Sequence, residues 1–139
     1  MIKPNELRIG NLVSCRNQII AIESVVANVI NISFPSDNDI EGILIKDIEP
    51  IPLTPEWLER CGFNWEDSCL KIDLNNARMK LGFQGGARDK MTLFQTSCPG
   101  DGSIITTMHF GWNHPEYVHQ LQNLIYALTG EELTIKEPA

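Results

Sequence analysis

The sequence lacks any apolar run that is long enough to cross a membrane. Its longest apolar stretches of low charge are residues 19–22 and 25–32, whereas a membrane-spanning helix needs about 20 apolar residues. Near the amino terminus, Pro4, Asn5 and Glu6 stand where a secretion signal requires an apolar segment. We therefore predict a cytoplasmic protein without a membrane partner.

Basic residues are scarce as well. The chain has 11 Lys and Arg against 18 Asp and Glu, which gives a net charge of −7. A protein that coats DNA gains affinity from surplus positive charge, because its cations displace counterions from the phosphates. The charge balance therefore argues against a general DNA-coating protein.

The cysteines form no metal or redox motif. Cys15, Cys61, Cys69 and Cys98 are widely scattered and include no C-x-x-C pair, so neither a zinc ribbon nor a thioredoxin-type site is predicted. We expect no cofactor and no metal. A chain of 139 residues with 42% apolar residues is long enough to bury a core without a disulfide.

Residues 1–53 consist of short β-branched runs separated by turn-forming residues. These runs predict five strands, at residues 12–15, 19–25, 29–34, 42–45 and 48–53. Several short strands with little helix favour a small SH3-like β-barrel, because curling removes the exposed edges of a sheet. We predict that residues 1–53 form a subdomain of this kind.

Residues 54–139 are predicted to form an α+β subdomain that joins the first in one unit. Thr54-Pro55-Glu56 is typical of a helix start, and Gly62 can end that short linking helix. An antiparallel sheet is predicted from strands at residues 68–73, 79–83, 91–95 and 104–110. An amphipathic helix follows residues 114–116, runs to about Leu128, ends at Gly130 and packs on this sheet. The alternation of Leu133 and Ile135 permits a short closing strand.

Three stretches of the chain resemble one family. They are LRIGNLV at residues 7–13, PIPLTPEWL at residues 50–58, and VHQLQNL with ALTGEEL at residues 118–124 and 127–133. Together they resemble a family of small uncharacterised proteins of gut anaerobes, often encoded in phage-like or other mobile regions. The resemblance implies a mobile-element context and carries no catalytic residues with it.

The histidines and one cysteine are the residues that an enzyme would use. His109, His114 and His119 have the spacing H-x4-H-x4-H, which matches no compact metal site and is interrupted by Pro115. We interpret His114 as a turn or capping residue and His119 as a residue on an exposed polar helix face. Cys98 with a histidine is a formal nucleophile pair, but it lies in a sequence typical of a hairpin connection.

Positive charge is concentrated between residues 71 and 90. Lys71, Arg78, Lys80, Arg88 and Lys90 outnumber Asp73 and Asp89 there, giving a local balance of 5 − 2 = +3. If these bases share a face, the hairpin is a candidate patch for a phosphate backbone or an acidic partner. The alternative is a solvated hairpin edge whose lysines discourage aggregation.

The outer face of the C-terminal helix is a candidate interface. It offers His119, Gln122, Asn123 and Tyr126, an uncharged polar stripe with one aromatic residue, and such faces occur where proteins meet. The alternatives are self-association through this helix and an ordinary solvent-facing surface.

These observations favour a non-enzymatic binding or adaptor protein of prophage or mobile-element origin, with an unidentified protein partner. The rival hypothesis is an accessory protein that contacts nucleic acid through the basic hairpin. A third hypothesis is an enzyme that uses Cys98 or the histidines.

Overall fold

The structure is a computed structural model that describes residues 2–33, 40–66, 69–74, 79–84, 91–96, 104–109 and 115–136. The described residues form two antiparallel sheets and few helices, which confirms the predicted α+β class. The chain divides into two compact units. The first comprises Met1–Pro52 with Tyr117–Leu124, and the second comprises Leu53–Glu116 with Ile125–Ala139. The sequence predicts residues 117–124 as part of the second subdomain, whereas the structure groups them with the first unit.

The first unit contains an open four-stranded sheet. Its strands β1 (Leu12–Cys15), β2 (Gln18–Val26), β3 (Val29–Ser33) and β4 (Ile40–Leu44) are paired in chain order. All four were predicted, with small errors at their ends. The predicted fifth strand at residues 48–53 is wrong, because the structure has only isolated bridges there, between Ser14 and Glu49 and between Pro52 and Tyr117.

Alternation along these strands builds the core of the first unit. Ile20 and Ile22 of β2 and Ile30 and Ile32 of β3 are at most 3% exposed, because side chains two residues apart lie on the same face of a strand. The register shifts between Ile22 and Ser24. Past this bulge, Val25 still packs against the core cluster.

The described part of the second unit contains helix α1 (Pro55–Arg60) and five strands paired in chain order. The strands are β5 (Asn64–Glu66), β6 (Cys69–Leu74), β7 (Met79–Gln84), β8 (Met91–Thr96) and β9 (Ile104–His109). The sequence predicted all except β5. Helix α1 starts as expected, with the hydroxyl of Thr54 accepting from the Trp57 amide at 3.3 Å.

Helix α2 (Val118–Thr129) contributes residues to both units. It ends, as predicted, at Gly130, whose φ of 74° is the left-handed conformation that favours glycine. The segment 131–136 forms no strand, so the predicted closing strand is wrong. No helix in the described part of the chain has the length and the apolarity to span a membrane.

Candidate functional site

The outer face of the β2-β3-β4 sheet carries an exposed row of apolar side chains. Val26 pairs directly with Val29, and Val29 pairs directly with Leu44, so the three side chains lie side by side. They are 66%, 37% and 44% exposed, respectively. We call Val26, Val29 and Leu44 the apolar row.

The next row of this outer face is polar and shallow. Ser24 pairs with Asn31, and Asn31 pairs with Gly42. The amide nitrogen of Asn31 donates to the Ser24 hydroxyl at 2.7 Å, which orients the Asn31 side chain. A Cβ atom on Gly42 would lie 3.4 Å from both Asn31 Oδ1 and Val29 Cγ1, so glycine keeps the centre of the face low and leaves these atoms uncovered.

The third row ends in a carboxylate. The Ser33 hydroxyl donates to Glu23 Oε1 at 2.8 Å, and Ser33 pairs with Ile40, which is 68% exposed. Val29 and Ser33 are four residues apart on one strand, so the apolar row and the Glu23 end are separated by roughly 13 Å. Along β3, the outer face therefore changes from apolar at Val29 to polar at Asn31 and to negatively charged beside Ser33.

The predicted polar face of the C-terminal helix points inward instead. His119 is fully buried and Gln122 is 3% exposed, so the interpretation of both as outward-facing interface residues is wrong. The side chain of Gln122 spans two backbone groups of the N-terminal segment. Its oxygen accepts from the Leu12 amide at 2.9 Å, and its nitrogen donates to the Gly10 carbonyl at 3.2 Å.

Asn123 is tied to the same segment by three hydrogen bonds. Its Oδ1 accepts from Arg8 Nε at 2.8 Å and from Asn11 Nδ2 at 2.9 Å, while its Nδ2 donates to the Glu6 carbonyl at 2.6 Å. Asn11 is fully buried and also accepts from the Arg8 amide. Of the four predicted interface residues, Tyr126 is the exposed one, at 42%. The predicted docking stripe is thus mainly an internal contact between α2 and residues 6–12.

His119 lies in the same contact. Its Nε2 is 3.6 Å from the Glu6 carboxylate, which is too long for a hydrogen bond, and its ring stacks on Tyr117 with centroids 6.0 Å apart. Among the described residues, neither ring nitrogen has a hydrogen-bond partner. Burial lowers the pKa of His119, and the nearby Glu6 carboxylate opposes this effect in part. The ring is therefore held as a neutral group in the core.

Two residues of the predicted basic patch are described. Lys80 contacts Glu66 at 3.3 Å and Asp73 at 3.5 Å. Burial alone would lower the pKa of Lys80, but these two carboxylates outweigh it and raise that pKa. Lys71 is half-buried in β6. Arg78, Arg88 and Lys90 lie outside the described residues, so the patch as a whole stays a prediction.

The described cysteine side chains are buried and carry no sign of activation. Burial raises the pKa of the Cys61 thiol to about 12, and it also raises the pKa of Cys15; both are free thiols. A thiol with a raised pKa is a poor nucleophile, because the thiolate is the reactive form. Cys98 and His114 lie outside the described residues. Within the described ranges, no three His, Cys, Asp or Glu side chains are grouped as metal ligands would be.

Sequence reasoning missed the outer face of the first sheet. Val26 and Val29 flank a two-residue turn, and their exposure cannot be read from β-branched character that they share with the buried strand residues. Comparison of the chain with models of protein families, with curated proteins and with solved structures found no match.

Proposed function

We propose that this chain is a non-enzymatic binding or adaptor protein that receives a protein partner on the outer face of its first sheet. The observation that carries the proposal is the apolar row, three adjacent side chains that are each more than a third exposed. Exposed apolar groups that lie together are typical of interaction surfaces, whereas single exposed apolar residues are ordinary.

The chemistry of the face defines the partner. An extended segment with an apolar side chain over Val29 would shield the apolar row from water, and burial of one such side chain contributes about 1.5–3 kcal/mol. A basic side chain roughly four residues further along that segment would meet Glu23. A basic partner is also favoured by the charge of residues 1–70, which hold 5 bases and 11 acids for a balance of 5 − 11 = −6.

A pair of charge-matched double variants tests this surface. Val26→Asp with Leu44→Asp places two charges in the apolar row, at residues that are 66% and 44% exposed. The control, Ile9→Asp with Ile19→Asp, places two charges outside the apolar row, at residues of nearly equal exposure, 65% and 47%. Ile19 lies seven residues from Val26 along β2, roughly 23 Å away.

Wild type and both variants are used to capture proteins from the native host, and any captured protein is then purified and titrated directly. We expect binding to wild type and to the Ile9/Ile19 variant, and a loss of about tenfold or more for the Val26/Leu44 variant. Equal affinities for the two variants would rule out the outer face as the binding surface.

A finer fold is proposed with this function. We propose that the first sheet curls as a small SH3-like barrel, in which the chain after β4 returns to β1. Support comes from the 3-10 helix Ile45–Asp47 after β4, from the bulge in β2, and from the paired hydrogen bonds of Ser14 and Glu49 at 2.8 and 2.9 Å. Slow amide exchange at both Ser14 and Glu49 is the expected result, and fast exchange at either would favour an open edge.

The biological setting is proposed from the resemblance alone. We propose that the protein is of prophage or mobile-element origin and that it acts in the cytoplasm. The genes encoded beside it test the first statement, since mobile elements group proteins by task.

The nucleic-acid hypothesis has less support in the described residues, because Lys80 is already paired with two carboxylates. It is tested with DNA and RNA across a salt series. Tight binding that weakens steeply with salt and is lost in Lys80→Glu with Arg88→Glu would replace the adaptor proposal.

A further inference from the structure

A cavity of about 370 Å³ lies within the second unit. Its apolar lining comes from Ile72 and Leu74 of β6, Ile125 of α2 and Leu133 of the segment that follows α2. Binding sites for small molecules commonly have about 300–1,000 Å³ and a mostly apolar lining. The cavity is therefore large enough to receive a small ligand.

The segment 131–136 is fixed at its far end. The Lys136 amide donates to the Arg60 carbonyl at 2.8 Å, and Arg60 Nε donates to the Lys136 carbonyl at 2.9 Å. At its near end the Thr129 hydroxyl accepts from the Glu131 amide at 3.1 Å. These bonds hold the segment in place as one wall of the cavity.

The charged groups of the cavity have a negative balance. Asp73, Glu131 and Glu132 line it, and Lys136 is the base among the lining residues that the structure describes. Asp73 is 57% exposed and shares Lys80, which is 3.5 Å away, with Glu66. One cation therefore faces two carboxylates, and Asp73 can attract a second cation. This balance repels an anionic group and attracts a cationic one.

We propose that the cavity binds a small primary amine that carries an apolar chain. The chain lies on Ile72, Ile125 and Leu133, and the ammonium group lies at Asp73 and Glu131. The combination is suited to both parts of the site, because apolar surface is removed from water while the charge stays near carboxylates and solvent.

Cys61 also lines the cavity, and its thiol is not activated. Since burial raises the pKa of this thiol to about 12, Cys61 is uncharged at neutral pH and provides no thiolate to attack a ligand. This inference does not depend on the outer face of the first sheet, which belongs to the other unit.

The test uses n-hexylammonium, n-hexanoate and ethylammonium as probes, followed through the backbone amide signals of Gly62, Ile72 and Thr134. We expect saturable shifts with n-hexylammonium and binding weaker by about tenfold for each of the other two probes. Equal binding of n-hexanoate would show that charge plays no part. Equal binding of ethylammonium would show that the apolar lining plays none. Either result, or the absence of saturable shifts, would overturn the proposal.

Two double variants separate the local charges from the net charge of the protein. Asp73→Asn with Glu131→Gln is expected to weaken n-hexylammonium binding by about fivefold. Glu49→Gln with Glu56→Gln removes the same charge from exposed residues outside the cavity and should change it less than about twofold. Equal losses in the two variants would mean that the amine responds only to overall charge.

A further probe distinguishes a free amine from the lysine of a protein. N-acetyl-lysine methylamide has the same ammonium group within a peptide backbone. We expect it to bind more weakly than n-hexylammonium, because its amide groups would have to enter an apolar cavity. Tighter binding of this probe would overturn the assignment of a free amine.

Discussion

Replacing Asn123 with alanine is expected to destabilise the protein by about 3 kcal/mol. The substitution removes hydrogen bonds to Arg8 Nε, Asn11 Nδ2 and the Glu6 carbonyl. Asn11 is fully buried, so its amide group loses a partner that water cannot replace, which costs about 1–3 kcal/mol. Arg8 is half-buried and can bind water in place of Asn123, so the free-energy cost of losing its hydrogen bond is at the low end of this range. The lost hydrogen bond to the Glu6 carbonyl costs about 1 kcal/mol more.

Urea unfolding followed by tryptophan fluorescence measures this loss. A typical domain has about 5–15 kcal/mol of stability, so the variant should unfold at clearly lower urea and melt roughly 10 °C lower. Asn64→Ala is the matched control, because it removes an exposed amide whose hydrogen bond to the Gly62 carbonyl is 3.4 Å long; it should cost less than about 0.5 kcal/mol.

A double variant tests whether Asn11 and Asn123 act together. The Asn11→Ala and Asn123→Ala variants should lose less stability in combination than the sum of their separate losses, because they share one hydrogen bond. Strict additivity, or an Asn123→Ala loss no larger than that of Asn64→Ala, would refute the role assigned to this contact.

Three further predictions concern single residues. Burial lowers the folded-state pKa of His119 from 6.5, so the stability contributed by the neutral ring is complete above pH 6.5. This stability is lost as the pH falls through the folded-state pKa, by at most about 1.4 kcal/mol per pH unit. In urea titrations, wild type should therefore lose more stability than His119→Gln between pH 7.5 and about 5.5, and parallel losses in the two proteins would contradict this. Cys61, with its pKa of about 12, should resist iodoacetamide in the folded protein and react in urea, as followed by mass spectrometry of its peptide; labelling at the unfolded rate without urea would count against its burial. Ala27 has a φ of 52° in the turn between β2 and β3, so Ala27→Gly should raise the melting temperature by relieving about 1 kcal/mol of backbone strain. The control Ala21→Gly lies within β2 and should lower the melting temperature. A lower melting temperature for both variants would argue against the left-handed turn.

Local signals in the sequence predicted most of the secondary structure. The start of α1 depends on Thr54 and Pro55, and the end of α2 depends on Gly130; each requires a particular residue type at one position. Strands β1 to β4 are bounded by turn-forming residues, and buried and exposed side chains alternate along them. Both features can be recognised in the sequence as β-branched runs between turns.

Long-range contacts explain the errors. Helical periodicity assigned His119 and Gln122 to the solvent face because both are polar. Gln122 is buried because its amide group satisfies the Leu12 amide and the Gly10 carbonyl, which are about 110 residues away. Only the three-dimensional structure brings these groups together, so hydrophobicity along one helix cannot reveal that a polar residue belongs inside.

The candidate sites differ in the same way. The apolar row joins side chains from three strands through the register of β2, β3 and β4, and the sequence predicts strands more reliably than their exposed faces. The cavity in the second unit requires β6, α2 and the segment 131–136, whose arrangement has no local sequence signal. Lys80 was predicted as part of a basic patch, but the pairing of β6 with β7 places Asp73 beside it.

The order in which the chain is synthesised differs from the order in which the first unit can be completed. Residues 6–12 leave the ribosome early, yet their partners Gln122 and Asn123 follow 110 to 117 positions later. At 5–20 residues per second, the N-terminal segment waits roughly 5–25 seconds for them. During that interval the Asn11 side-chain nitrogen, the Gly10 carbonyl and the Leu12 amide lack the partners that α2 supplies. The first unit is therefore completed only after α2 has been synthesised.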